Sequence, residues 1–118
     1  MNAPPIQANR VTDDYVVTGQ IVVEQLPMIV EAGFKSILCT RPDNEDPGQT
    51  DFATIAAEAE KLGLPARKID VVGHIGITAE NLTDFVDAWE ELPRPIFGYC
   101  RSGQRAAVLY SMAESQIG

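Results

Sequence analysis

Pro95-Ile96-Phe97-Gly98-Tyr99-Cys100-Arg101-Ser102-Gly103-Gln104-Arg105 combines a strand, a tight turn and the start of a helix. Pro95 to Tyr99 is a short apolar run of strand-forming residues. Cys100 to Arg105 is polar and holds one glycine. From Ala106 onward, Ala106, Leu109 and Met112 recur at helical spacing. A loop that wraps into a helix N-terminus points successive N–H groups inward, and with the helix dipole they cradle an anion. A thiol at the centre of that cradle sits in positive potential, which favours the nucleophilic thiolate. Gly103 permits a backbone conformation that a side chain would block. Arg105 offers a planar fork for an oxyanion. Cys100 and Arg105 are therefore the candidate catalytic pair, and Arg101, Ser102, Gly103 and Gln104 the anion-binding loop between them. On this reading Arg105 serves the anion and not the fold.

Outward from this unit the same alternation repeats. Tyr15 to Thr18 is strand-like and Gly19 ends it. Val22, Val23, Leu26, Ile29 and Val30 have helical spacing, and a start near Val23 or Glu24 puts Pro27 in the first turn. Lys35 to Thr40 reads as a strand, and Arg41 to Gln49 as a polar loop. Thr50 is the expected N-cap of a helix carrying Phe52, Ile55, Ala59 and Leu62. Ala66 to Val72 is a further core strand and Val72 to Ile77 a loop. Thr78 opens a helix whose core face holds Leu82, Phe85, Val86 and Trp89. The expected fold is a single three-layer α/β domain over residues 13–118. It has a central, mostly parallel sheet of about four strands flanked by helices, after a loose leader at residues 1–12. Sites in such sheets lie at the carboxyl ends of strands, here the loops 41–49, 72–77 and 100–105.

Composition narrows the function. The 118 residues are 45% hydrophobic, which fits one globular domain and excludes a disordered chain. No apolar run approaches the ~18 residues of a membrane span. The start shows no basic and apolar signal segment. Two cysteines, Cys39 and Cys100, are too few for a disulfide scaffold, so the reducing cytoplasm is the expected compartment. Seventeen acidic residues against nine basic give a net charge of −8. That argues against nucleic acid and against anionic membrane surfaces as partners. It does not prevent one small loop from holding an anion.

The Cys100–Arg105 loop, with four residues between cysteine and arginine, resembles the active loop of rhodanese-type sulfurtransferases. Protein tyrosine and dual-specificity phosphatases have a similar loop with five residues between. From about Val11 to Ser115 the chain resembles a small bacterial family, the phosphatase-like domain of the beta-lactamase-hydrolase-like proteins. The matching segments are Thr18-Gly19-Gln20, Gly33-Phe34-Lys35, Arg41-Pro42-Asp43, Gly48-Gln49 and the Cys100 loop. The resemblance implies a fold like that of dual-specificity phosphatases and thiol chemistry without metal or cofactor. Some members are fused to, or encoded beside, enzymes of persulfide metabolism, which the resemblance makes candidate partners.

Sulfur and phosphate make different demands. A phosphatase needs an acid to protonate the leaving alkoxide. In dual-specificity phosphatases an aspartate just past the third core strand supplies it, a position that falls at about Gly73 here. Asp70 lies about three positions early, and His74 sits in the right loop, where an imidazolium can serve. Sulfur transfer needs no strong acid. The short loop and the missing aspartate favour a rhodanese-type sulfurtransferase that forms a Cys100 persulfide and passes sulfur to a thiol such as glutathione. The alternative is a tyrosine or dual-specificity type phosphatase working through phosphocysteine. A third class, a non-catalytic anion-binding module, is disfavoured by the intact Cys100 and Arg105. Arg41 and Asp43, at a strand end, are candidate substrate contacts or buttresses of the Cys100 loop. Cys39 reads as a core cysteine rather than a resolving thiol.

Overall fold

Tyr15–Thr18 and Ile96–Tyr99 lie side by side, in parallel, within the sheet of the computed structural model, which describes residues 3–117. The strands are β1 (Ala8–Thr12), β2 (Tyr15–Thr18), β3 (Ser36–Cys39), β4 (Ala66–Lys68) and β5 (Ile96–Tyr99). Their order across the sheet is β1-β2-β5-β3-β4, and all but β1 run parallel. Four helices join them: α1 (Leu26–Glu31), α2 (Phe52–Lys61), α3 (Ala79–Glu91) and α4 (Gln104–Ala113). No helix of the described residues is long and apolar enough to cross a membrane.

The sheet has five strands, not the expected four or so. The fifth, β1, falls within the expected leader, whose residues 1 and 2 lie outside the described residues. It pairs antiparallel with β2 from Ala8 opposite Thr18 to Thr12 opposite Tyr15. Main-chain bonding holds this polar edge, helped by Thr18 Oγ1, which donates to the Gln7 carbonyl at 2.8 Å. Other boundaries move for local reasons. Strand β4 stops at Lys68, short of Val72. Asp51, not Thr50, is the N-cap of α2, and the bond that secures this end comes from outside. There Asp43 Oδ1 accepts the Phe52 N–H at 2.9 Å. Thr78 caps α3 as expected, accepting from the Asn81 N–H at 3.1 Å. Pro27 falls in the first turn of α1.

Side chains of a strand alternate between faces, so one sheet supports two cores. Tyr15, Val17, Leu38 and Cys100 face α3 and α4, where they meet Phe85 and Leu109. Ile37, Cys39, Phe97 and Tyr99 face α1 and α2, where they meet Ile29 and Ile55. Phe85 and Trp89 stand edge-on to Tyr15 with ring centroids 5.7 and 5.8 Å away, which makes them core. Between these layers the carboxyl ends of β2, β3 and β5 come together at one edge of the sheet.

Candidate active site

Cys100 is the first residue after β5, and its N–H donates to the Thr18 carbonyl at 3.2 Å, one strand across. The chain then doubles back into α4. Gly103 makes that turn at φ +93°, a left-handed conformation that favours glycine. Its N–H donates to Cys100 Sγ at 3.0 Å. The end of β2 presses on this loop from the other side. A Cβ at Gly103 would lie 3.2 Å from the Thr18 carbonyl carbon, and one at Gly19 would lie 2.9 Å from the Arg101 carbonyl oxygen. Glycine at both places lets the loop close over the sulfur, and Cys100 is fully buried.

Arg105 projects from the first turn of α4. Its Nη1 and Nη2 donate to Glu45 Oε2 and Oε1 at 2.8 and 2.7 Å, a bidentate pair. Nη1 also donates to the Val71 carbonyl at 2.6 Å. A guanidinium carries five N–H groups, so three are committed. The two left, on Nε and Nη2, share one edge, and a single edge suits one oxyanion. Arg105 therefore ties two loops to the helix and also lies close enough to Cys100 to interact with its sulfur. This corrects the expectation that it serves the anion alone.

Glu45 carries this arrangement, and the sequence motifs do not mark it. Hydrogen bonds from Arg105, with Arg41 adding, hold its carboxyl down to about 2, so it stays ionised. Arg41 is only 2% exposed, and a buried cation needs partners. It donates to Glu45, Gln20 and Asp46 at 2.9, 3.0 and 3.0 Å. Asp46 in turn pairs with Arg101 Nε at 3.1 Å. Gln49 pins the same loop, accepting the Glu45 N–H at 3.0 Å and donating to the Pro42 carbonyl at 3.0 Å. Arg41 and Asp43 thus build the 41–49 loop. Besides holding the Phe52 N–H, Asp43 pairs with Lys68 Nζ at 3.4 Å.

A cleft of about 630 Å³ opens over the loop. Glu45, Arg101, Ser102, Gln104 and Arg105 line one side, and Val72, Gly73 and His74 the other. His74 is thus brought to the site. Asp70 is not: it pairs with Lys68 Nζ at 3.4 Å and lines a separate depression with Glu80 and Asp84. The residues that wrap the sulfur line the cleft, while Cys100 lies within the wrap. Cys39 belongs to the opposite core, where its sulfur donates to the Arg41 carbonyl at 3.3 Å and burial pushes the thiol up.

Comparison with known proteins bears on the fold and the family. The chain is 32% identical over 113 residues to the beta-lactamase hydrolase-like protein of Agrobacterium fabrum, covering 96% of this chain and 26% of that one. It therefore spans about a quarter of the length of the curated relatives it matches. A Neisseria meningitidis protein provisionally designated a phosphatase superposes with a TM-score of 0.79 at 25% identity, over 90% of this chain and 75% of that one. The core catalytic domain of a PP-IP phosphatase from S. cerevisiae superposes with a TM-score of 0.64 at 18% identity, over 87% and 61% of the two chains. The sequence profile of the family described as beta-lactamase hydrolase-like protein, phosphatase-like domain, matches residues 8–117, and the chain belongs to that family.

Proposed function

We propose that this chain is a cysteine-dependent phosphatase domain acting on a small anionic phosphomonoester. The reading rests above all on one observation: Arg105 lines the cleft within reach of Cys100, beside the loop that turns an amide toward Cys100 Sγ. The family and the phosphatase neighbours of like fold support it, which puts it ahead of sulfur transfer, the reading that loop length favours. In the reaction the Cys100 thiolate attacks phosphorus, and the sulfur–phosphorus bond forms as the bond to the ester oxygen breaks. The departing oxygen takes a proton from His74 across the cleft. The free edge of Arg105 and the loop amides hold the equatorial oxygens as charge builds on them. Water then cleaves the phosphocysteine, releasing inorganic phosphate and the thiolate.

A second reading has its own observation. The loop keeps the four-residue spacing of sulfurtransferases, and Gly73 stands where a phosphatase aspartate is expected. There the thiolate attacks a sulfane sulfur, the donor leaves with the electron pair, and a thiol such as glutathione takes the outer sulfur of the persulfide. A persulfide-metabolism enzyme is the partner class in that case.

One pair of assays separates them. Wild-type protein is given an aryl phosphate, with phosphate release measured, and separately thiosulfate, with the intact mass measured. The proposal expects phosphate release that is lost in Cys100→Ser and loses its acid dependence in His74→Ala. No phosphate release, with one sulfur atom gained at Cys100 and removed by cyanide, establishes the second reading instead.

A further inference from the structure

The cleft over the Cys100 loop continues onto an apolar shelf. Gly73, Gln104 and Arg105 line both spaces, so they are one continuous surface. The shelf, about 340 Å³, is lined by Ile77 and by Val108 and Met112 on α4, with the buried Val71 behind them. Val108 and Met112 stand three and seven residues after Arg105, on the same helix face. They are 38% and 49% exposed, and unlike the other exposed apolar side chains they adjoin the cleft. Arg105 is the one charged residue on the shelf.

Charge at the anion end is limited as well. Arg105 is paired with Glu45, Arg101 with Asp46, and Arg41 with both carboxylates. Of the cleft-lining residues only His74 can add a cation that no carboxylate already offsets. One side of Arg105 and the amide beside the sulfur suit one phosphoryl group. A second phosphoryl group on the same molecule would meet the carboxylates of Glu45 and Asp46, or the shelf.

We propose that the substrate class is a monoester with a single phosphoryl group and an apolar aryl or alkyl body, the body lying on Ile77, Val108 and Met112. This assignment rests on the phosphatase reading of the same site and adds the leaving-group side to it. The shelf begins where the ester oxygen must leave, beside Gly73 and Gln104, so a body attached to that oxygen lies against it.

The test is calorimetric binding of methylphosphonate, benzylphosphonate and pyrophosphate to the wild-type chain and to Met112→Gln and Val108→Asn. These two surface substitutions are neutral and of similar size. Wild type is expected to bind benzylphosphonate about tenfold tighter than methylphosphonate, as roughly 60 Å² of buried apolar surface implies. Pyrophosphate is expected to bind no tighter than methylphosphonate. In each variant the benzyl-to-methyl ratio is expected to fall below about threefold. Equal affinities in wild type, a ratio unchanged in both variants, or pyrophosphate as the tightest ligand overturns the assignment and leaves the phosphatase reading standing. If none of the three binds while Cys100 takes sulfur from thiosulfate, the phosphatase reading falls and the assignment falls with it.

Discussion

Cys39 and Cys100 sit at the same end of adjacent parallel strands, yet their surroundings prepare them for opposite chemistry. Cys39 is the last residue of β3 and stands level with Tyr99, so Cys100 is one step further along. One step reverses the face. Cys39 joins the core under α1 and α2, whereas Cys100 joins that under α3 and α4. The Cys39 sulfur donates to a carbonyl, which keeps its proton in place, and burial pushes the thiol up. The Cys100 sulfur instead accepts the Gly103 N–H at 3.0 Å. Both are buried. What separates them is the next few residues: a loop that returns its carbonyl, or a loop that turns its amides inward on the way into a helix.

The sharpest way to break this comparison is to remove each sulfur in turn. Cys100→Ser is expected to lower turnover at least about a thousandfold. Cys39→Ala is expected to keep turnover within about threefold and to cost about 1 kcal/mol of stability in urea titration. If Cys39→Ala abolishes turnover in a folded protein, the two thiols act together and the division by sheet face is wrong.

A smaller effect comes from Arg105, which ties the 41–49 loop and the Val71 carbonyl to the helix that follows Cys100. Lysine at 105 keeps the charge but cannot span Glu45, the Val71 carbonyl and an anion at once. Arg105→Lys is expected to lower kcat/KM about a hundredfold and the melting temperature by about 5 °C. An unchanged melting temperature would mean that the tie to Glu45 is idle in the fold.

The least effect is expected at Glu45, and it carries a pH signature. Its carboxyl is held to about 2 when folded, below the ordinary carboxylate range. The stabilisation is therefore complete above about pH 4.5 and is lost as pH falls toward 2. Glu45→Gln is expected to cost about 1–2 kcal/mol at pH 7 and almost nothing near pH 2, read from unfolding curves across that range. A cost that does not shrink with acid would remove the charge from the account.

The Cys100 loop could be read from the chain because everything that makes it is consecutive: strand, thiol, glycine, arginine, helix. Glu45 could not, because its bond to Arg105 spans 60 residues and exists only once β3 lies beside β5. Arg41 and Asp43 were placed at the right strand end, but sequence pattern does not say which way a loop side chain turns. They turn inward, to Glu45, Asp46 and the start of α2. Asp70 misled for a related reason. Strand β4 ends at Lys68, so the wall of the cleft is set by the turn after it, which presents His74 and aims Asp70 at Lys68. β1 escaped notice because its residues, Ala-Asn-Arg-Val-Thr, show no apolar alternation. An edge strand held by main-chain bonds needs none.

The pairing of both loop arginines with Glu45 and Asp46 bears on how a catalytic cycle ends. A cradle whose cations are already neutralised holds a dianion loosely, and the two carboxylates at its rim repel it once it is free of the sulfur. Inorganic phosphate, the product under the phosphatase reading, then has little hold on the site, and its departure does not set the pace of turnover.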